Sequence, residues 1–269
     1  LYQMIKFNLS DKKNFFISNK IISKKINYGF FSKNYGYSKN NFFSLNCSLS
    51  SDDNEFIVKK NIEKAKKNLG FENKKIKFLK QIHSSNVSFI NEKNFNQVTE
   101  ADGSITTNND IVLAILTADC APLLIFDIDN EFICALHAGW RGCLKNIVKE
   151  TAKKIKDMKL RVNKLIAILG PCLAKKNFEV NSDIRNLFIN KDTTYNNFFS
   201  KIPNKNKYLF DMRNLIEYQV KESLGCNVLH INLDTYANND IFFSHRYSTQ
   251  NESLPTGRMI NIIGFKDSE

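Results

Sequence analysis

Apolar runs in the middle of the chain constrain its fold most. They read IVLAILT at residues 111–117, PLLIFDI at 122–128 and KLIAILG at 164–170. Near-continuous apolar runs of this length are typical of strands that are buried on both faces of a sheet. Strands and helices are predicted along the whole chain without a regular β–α–β order, so the pattern favours an α+β fold over a doubly wound sheet.

The segment after the second run predicts a β-hairpin. Asp129 and Asn130 form a candidate two-residue turn, and a further apolar segment, FICALHA, follows. A tight turn there pairs residues whose numbers sum to about 259, so that Pro122 faces His137. Cys120 and His137 would then lie at the same end of adjacent strands, close enough for their side chains to meet.

Several segments have the period of a helix. The segment at residues 51–70 predicts a helix that opens with a capping box of Asp52 and Glu55. Another helix is expected to begin after the motif HAGWRG, so that its first backbone N–H groups point towards Trp140 and Arg141. The segment MINIIGF near the end of the sequence predicts a last strand.

Length and charge narrow the class of protein. No linker rich in Pro, Gly or Ser divides the 269 residues, so we expect one domain over 1–269. The formal charge of +12 comes from 39 basic residues, of which only six are Arg, and the lysines are scattered. This pattern is typical of solvated surfaces, so we expect no nucleic-acid partner.

Cysteine usage and hydropathy indicate the compartment. The six cysteines form no CxxC pair, and no apolar segment near the start resembles a signal peptide. The longest apolar run, residues 111–118, is too short to cross a bilayer. We therefore expect a reduced cytoplasmic protein, monomeric and without a membrane partner.

Three residues are candidate metal ligands. His83, Cys120 and His137 each lie where a predicted strand meets a loop, and two imidazoles with one thiolate suit zinc. Three protein ligands would leave a fourth position open, as in catalytic zinc sites. A cysteine after a strand is also often a small core residue, so the spacing alone leaves both interpretations open. His230 is expected to be structural. The remaining cysteines are interpreted as packing residues: Cys47, Cys134, Cys143, Cys172 and Cys226.

Arginines stand out in a chain that otherwise uses lysine. Arg141, Arg246 and Arg258 lie in polar, turn-like motifs, and a guanidinium group suits bidentate contact with phosphate or a carboxylate. The alternative is that each forms a structural salt bridge. Asp102 and Asp119 flank the strand that begins at residue 111, where they would either orient a histidine or cap loops.

Six motifs together resemble one known family. QIHSSNV, ADGSITT, TADCAPLLIFD, HAGWRG, GPCLAKKNFEV and FFSHRYSTQNESLPTGRM follow the YfiH/laccase-domain family in order and spacing over about residues 27–265. The resemblance implies a single four-layer α/β/β/α sandwich and a zinc site of His83, Cys120 and His137. It also implies a purine nucleoside phosphorylase with adenosine deaminase and methylthioadenosine phosphorylase activity, whose partners are a purine nucleoside and phosphate.

The family resemblance carries alternatives as well. Some members were described as copper polyphenol oxidases, and others are linked to the editing of cell-wall precursors. The sandwich is also similar to that of toxins that act as cysteine hydrolases, which would make Cys120 the nucleophile and His137 the base. The sequence departs from the family pattern at Tyr35-Gly36, where the family has Gly-Gly, and at FSHRY, where it has FSYRR.

Overall fold

The computed structural model describes residues 14–17, 23, 25–129, 131–252 and 254–267. These residues form fourteen strands and six α-helices. The strands are β1 (Phe15–Phe16), β2 (Ile26–Phe31), β3 (Lys75–Lys77), β4 (Val87–Phe89), β5 (Gly103–Thr106), β6 (Ile111–Thr117), β7 (Ala121–Asp127), β8 (Ile133–Ala138), β9 (Leu165–Leu169), β10 (Glu179–Asn181), β11 (Phe199–Lys201), β12 (Lys207–Phe210), β13 (Val228–His230) and β14 (Met259–Phe265). The helices are α1 (Glu55–Asn68), α2 (Trp140–Lys145), α3 (Ile147–Asp157), α4 (Ser182–Lys191), α5 (Met212–Leu224) and α6 (His245–Tyr247).

A six-stranded mixed sheet contains the predicted hairpin. Its strand order is β13-β9-β7-β8-β5-β4, and β7 pairs antiparallel with β8. Pro122 lies opposite His137, so the predicted register is confirmed. Of the predicted turn, Asn130 lies outside the described residues. The predicted domain likewise includes residues before residue 14 that are not described.

A five-stranded sheet packs against the first sheet. Its order is β1-β2-β14-β6-β3, with β14 antiparallel to both β2 and β6. The two sheets face each other across a core that includes Tyr28 and Leu113 on one side and Leu124 and Ile168 on the other. Burying a side chain of this kind contributes about 1.5–3 kcal/mol, so the interior between the sheets is a main source of stability.

Helices cover the outer faces of both sheets. Helix α1 packs Val58, Ile62 and Ala65 against the five-stranded sheet. Helices α3 and α5, with a small sheet of order β10-β12-β11, cover the six-stranded sheet. The layers are therefore α/β/β/α, and the predicted α+β sandwich is confirmed.

Two local expectations were wrong. Helix α1 begins at Glu55, and the side chain of Asn54, not of Asp52, accepts the hydrogen bond from the backbone N–H of Ile57 at 3.2 Å. The segment around HAGWRG forms two helices, because Asn146 adopts a φ of 60° between α2 and α3 and ends the first of them. The Trp of the motif is consequently the first residue of α2.

None of the helices in the described residues is both long enough and apolar enough to span a membrane.

Candidate active site and metal centre

Three predicted ligands meet at one end of the hairpin. Cys120 immediately precedes β7, His137 is on β8, and His83 lies in the loop between β3 and β4. The ligand atoms of these three side chains all lie within 4.8 Å of one another. The thiol sulfur of Cys120 is 3.9 Å from Nε2 of His83, and the two imidazole rings are nearly perpendicular with centroids 4.9 Å apart.

A buried carboxylate organises this group. Oδ1 of Asp102 lies 2.8 Å from Nδ1 of His137 and accepts the backbone N–H of His83 at 3.0 Å. Oδ2 accepts the backbone N–H groups of Ile82 and Ser84, at 3.2 and 2.6 Å, and the hydroxyl of Ser84 at 2.8 Å. Asp102 thus fixes both the ring of one histidine and the loop that carries the other.

The protonation of Asp102 follows from these contacts. Burial opposes its ionisation, but the hydrogen bonds from His137 and Ser84 outweigh burial and lower the pKa of Asp102 to about 2. An ionised Asp102 requires a proton on Nδ1 of His137. When the ring is neutral its lone pair is therefore on Nε2, which is the form of a metal ligand or of a general base.

The loop that carries His83 and the segment before Cys120 have unusual backbone conformations. His83 has a φ of 56° and Asp119 a φ of 87°, both in the left-handed region that non-glycine residues seldom adopt. Such conformations persist where surrounding contacts hold them, and they cluster at functional sites. Asp119 is held by the hydroxyl of Thr235 and by the backbone N–H of Arg246, each 2.6 Å from its carboxylate.

The electrostatics favour a thiolate at Cys120. Burial raises the pKa of Cys120, but His137 and His83 outweigh burial and lower it to about 6. Burial also lowers the pKa of His137, whereas Cys120 and Asp102 raise it to about 9. A thiolate is the form of cysteine that binds metals and attacks electrophiles.

A glycine permits the close approach of these groups. A Cβ atom added at Gly139 would lie 3.0 Å from Cδ2 of His83 and 3.1 Å from the sulfur of Cys120. These separations are shorter than ordinary carbon and sulfur contacts. Gly139, the first glycine of HAGWRG, therefore leaves the space in which the three ligand side chains meet.

The ligand group borders two cavities. The larger has a volume of about 500 Å³ and an apolar wall that includes Phe78, Leu79 and Leu116. The smaller has a volume of about 290 Å³ and aromatic walls formed by Trp140 and Phe178. Both cavities share the following residues: His83, Ala118, Cys120 and His245.

The three predicted arginines all line these cavities. Arg258 lies on the larger cavity, and Arg141 and Arg246 lie on the smaller. The guanidinium group of Arg258 donates to the carbonyls of Thr256 and Gly257, that of Arg246 donates to the carbonyl of Glu179, and that of Arg141 stacks on Trp140 at 4.3 Å. Within the described residues none of the three forms an ion pair with a carboxylate. Their contact with phosphate or substrate stays a prediction.

The structure also places the other histidines and the two predicted carboxylates. His230 bonds Glu217 through Nε2 at 3.0 Å, as expected of a structural histidine. Among the residues that the structure describes, Asp119 caps loops and hydrogen-bonds no histidine, whereas Asp102 both holds a loop and bonds His137. Sequence reasoning did not select His245, which lines both cavities. Its one available signal was the scarcity of histidine, with four in the chain.

The donor set fits a resident metal. The described residues contain one group of three His, Cys, Asp or Glu side chains close enough to hold an ion, and it is this one. Two imidazoles and a thiolate match zinc in donor softness, and the carboxylate behind His137 is the usual second partner of a metal-binding histidine. Four histidines are too few for the full ligand set of a multicopper oxidase.

Comparisons with known proteins cover most of the chain. The profile of the family described as "Multi-copper polyphenol oxidoreductase laccase" matches residues 27–266. A purine nucleoside phosphorylase of Rickettsia prowazekii (strain Madrid E) is 32% identical over 246 residues, which are 91% of this chain and 99% of that protein. The purine nucleoside phosphorylase YfiH of Escherichia coli (strain K12) is 28% identical over 220 residues, 82% of this chain and 86% of that protein.

A solved structure shows the same fold. The crystal structure of a Neisseria meningitidis protein of the DUF152 family matches with a TM-score of 0.83 and 28% identity, covering 94% of this chain and 100% of that one. The match of the family profile over 27–266 and the Rickettsia relative together show that this chain is a member of the YfiH family, the laccase-domain proteins described as multicopper polyphenol oxidoreductases.

Proposed function

We propose that this protein is a zinc-dependent purine nucleoside phosphorylase. The observation that carries the proposal is that His83 and Cys120 lie in the wall that two cavities share, with His137 grouped beside them on the larger cavity. A phosphorylase must bring two reactants, a nucleoside and phosphate, to one reacting carbon. The names of the Rickettsia and E. coli relatives support the same activity.

His83, Cys120 and His137 would hold the zinc ion. Bound zinc supplies a Lewis acid that polarises an oxygen or nitrogen atom of a reactant. Asp102 keeps the proton on Nδ1 of His137, so that Nε2 is free to act as a ligand. Copper is the alternative metal, and metal analysis of the purified protein distinguishes the two.

The cavities differ in the reactant that they suit. The apolar wall of the larger cavity suits a nucleoside. The smaller cavity has Arg141 and Arg246, which suit a phosphate dianion because a guanidinium group can donate two parallel hydrogen bonds. Burying such an anion without cations would be costly. Arg258 lies on the nucleoside side, where it would contact the ribose or the base.

The reaction forms one bond and breaks another. A phosphate oxygen bonds to C1′ of the ribose as the bond between C1′ and the purine nitrogen breaks, and the base takes that electron pair. The proton that hydrogen phosphate loses on becoming the sugar phosphate ester balances the proton that the base takes up. The arginines of the smaller cavity orient the attacking phosphate and stabilise its charge.

Two finer activities belong to the proposal. Deamination of adenosine consumes one water and releases ammonia and inosine, and the opening of the ligand group onto both cavities supports it. Phosphorolysis of methylthioadenosine needs an apolar surface for the methylthio group. Phe78, Leu79 and Leu116 provide such a surface in the larger cavity.

A cysteine hydrolase is the second candidate, including one that acts on cell-wall precursors. Two side-chain contacts favour a hydrolase: Cys120 contacts His137, and His137 contacts Asp102. In a cysteine hydrolase these three groups would be the nucleophile, the base and the carboxylate that orients the base. Zinc bound to the thiolate would block this chemistry. Activity that survives removal of the metal and is lost on alkylation of Cys120 would favour the hydrolase.

The remaining expectations concern the state of the protein. All six cysteines are free, which supports a reducing, cytoplasmic location. We propose a monomer that acts as one domain over 1–269. Its proposed partners are the purine nucleoside and phosphate.

One experiment tests the function. Protein of known metal content is incubated with inosine, adenosine or methylthioadenosine, with and without phosphate, and base, sugar phosphate and ammonia are quantified. We expect phosphate-dependent release of base, about one zinc per chain, and loss of both in His137→Ala. His230→Ala is the matched control, because that histidine lies away from the cavities and should change neither result. Zinc-loaded protein that releases no base would refute the proposal.

A further inference from the structure

His245 occupies a position that the proposed reaction leaves without a role. It lines both the larger and the smaller cavity, as do His83 and Cys120, yet it is not one of the three grouped ligands. It is the first residue of α6. A side chain on the boundary between the two cavities lies where the nucleoside and phosphate would meet.

The backbone around His245 is firmly held. The side chain of Ser244 accepts the backbone N–H of Tyr247 at 3.1 Å and caps α6. The next residue, Arg246, donates its backbone N–H to the carboxylate of Asp119 at 2.6 Å. Asp119 directly precedes Cys120, so the position of the α6 turn is fixed relative to the ligand group.

The imidazole itself is not engaged by the protein. Within the part of the chain that is described, the hydrogen bonds of His245 are made by its backbone carbonyl, which accepts the backbone N–H of Ser248 and the hydroxyl of Thr249, and its ring makes none. Two polar side chains of the larger cavity do have partners in the protein. Nδ1 of His137 bonds Asp102, and Gln81 bonds both backbone groups of Leu116.

The surroundings of the ring favour its uncharged form. Burial lowers the pKa of His245, and Arg258, Arg246 and His83 lower it further, against the opposing effect of Asp119. Since arginines on both cavities already provide positive charge, the ring is not needed to bind phosphate. A neutral imidazole can instead donate one hydrogen bond to a polar edge of the nucleoside.

We propose that His245 contacts the substrate and donates a hydrogen bond to the purine as it leaves the ribose. This inference rests on the proposed phosphorylase function. As the bond between C1′ and the purine nitrogen breaks, negative charge develops on the five-membered ring of the base. A hydrogen bond from His245 to N7 stabilises that charge, while the proton balance remains the one between phosphate and base.

The test compares two nucleosides that differ in their need for this hydrogen bond. The base of inosine leaves as an anion. The base of 7-methylinosine is already positively charged before it leaves and has no acceptor at N7. We expect His245→Phe to lower kcat for inosine about 10–100-fold, the range for a lost hydrogen bond to a charged group. The same variant should leave kcat for 7-methylinosine and the zinc content close to those of the unmodified protein.

Two amide variants keep the test decisive if His245→Phe does not fold. His245→Asn places an amide N–H near the position of Nδ1, and His245→Gln places one near that of Nε2. One of the two variants should keep the ratio of kcat for inosine to kcat for 7-methylinosine that the unmodified protein has. His230→Phe is the matched control and should change neither rate.

The outcomes separate this inference from the proposed function. Equal losses on both nucleosides, or no loss on either, would overturn the role of His245 while leaving the phosphorylase intact. An unmodified, zinc-loaded protein without phosphorolysis would overturn both. A loss of kcat that is confined to inosine, with zinc retained, supports the role.

Discussion

Replacing Asp102 with Asn should weaken zinc binding even though it leaves the three ligands in place. The carboxylate accepts on both oxygens: Oδ1 faces His137 and the backbone N–H of His83, and Oδ2 faces Ile82 and Ser84. Whichever way the amide of Asn is turned, its NH₂ group faces at least two donors. Loss of a carboxylate behind a metal-binding histidine typically weakens metal affinity about 10–100-fold, or about 1.4–2.7 kcal/mol.

Folding should suffer as well. A buried donor left without an acceptor costs about 1–3 kcal/mol, so the free energy of unfolding of the metal-free Asp102→Asn protein should fall by roughly that amount or more. Zinc affinity is measured by competition with a chelator at fixed pH, and stability by urea unfolding of the metal-free protein. The two measurements separate the effect on the metal from the effect on the fold.

Asp127→Asn is the matched control. Asp127 is also fully buried, and it accepts backbone N–H groups from Asp129, Asn163 and Lys164 at the opposite end of β7. It should lose stability to a similar extent and keep its zinc affinity. Unchanged zinc affinity in Asp102→Asn, or equal weakening in both variants, would refute the reasoning.

Four further outcomes follow from the geometry. Gly139→Ala should weaken zinc binding, measured by chelator competition, because the new Cβ would lie 3.0 Å from Cδ2 of His83. In the metal-free protein, alkylation of Cys120 by iodoacetamide should be half-maximal near pH 6 and slow below it, as the thiolate takes up a proton, and zinc should protect the residue. Arg246→Lys should raise the KM for phosphate with little change in thermal unfolding, because lysine keeps the charge but loses the bidentate geometry. Asn54→Ala should lower the unfolding free energy by about 1 kcal/mol through loss of the α1 cap, measured in urea.

The part of the site within one hairpin could be predicted from the sequence. The spacing of Cys120 and His137 around a turn sets their register, because side chains in strands alternate with a period of two. The structure pairs Pro122 with His137 as this rule requires. Apolar runs likewise predicted strands β6, β7 and β9, since burial on both faces leaves a clear pattern.

The contacts between distant segments could not be predicted in this way. His83 joins the hairpin because Asp102 binds three successive backbone N–H groups of its loop, and no periodicity records such a contact. His245 reaches both cavities through the bond between Arg246 and Asp119, which are 127 residues apart. The family resemblance implied the same three ligands that the residue types had suggested, but its pattern places tyrosine at the position of His245, so it gave no signal for that residue.

The central place of β14 has a consequence for biosynthesis. This strand lies between β2 and β6, and Phe265 pairs with Ile26. During synthesis β2 and the facing edge of β6 must wait until residues 259–265 have been made before their hydrogen bonds to β14 can form. Contacts of such long sequence separation slow folding and leave strand edges exposed to aggregation. Ribosome-bound chains that stop before residue 259 should therefore be sensitive to proteases and bound by chaperones, and emergence of residues 259–265 from the ribosome should complete the sheet.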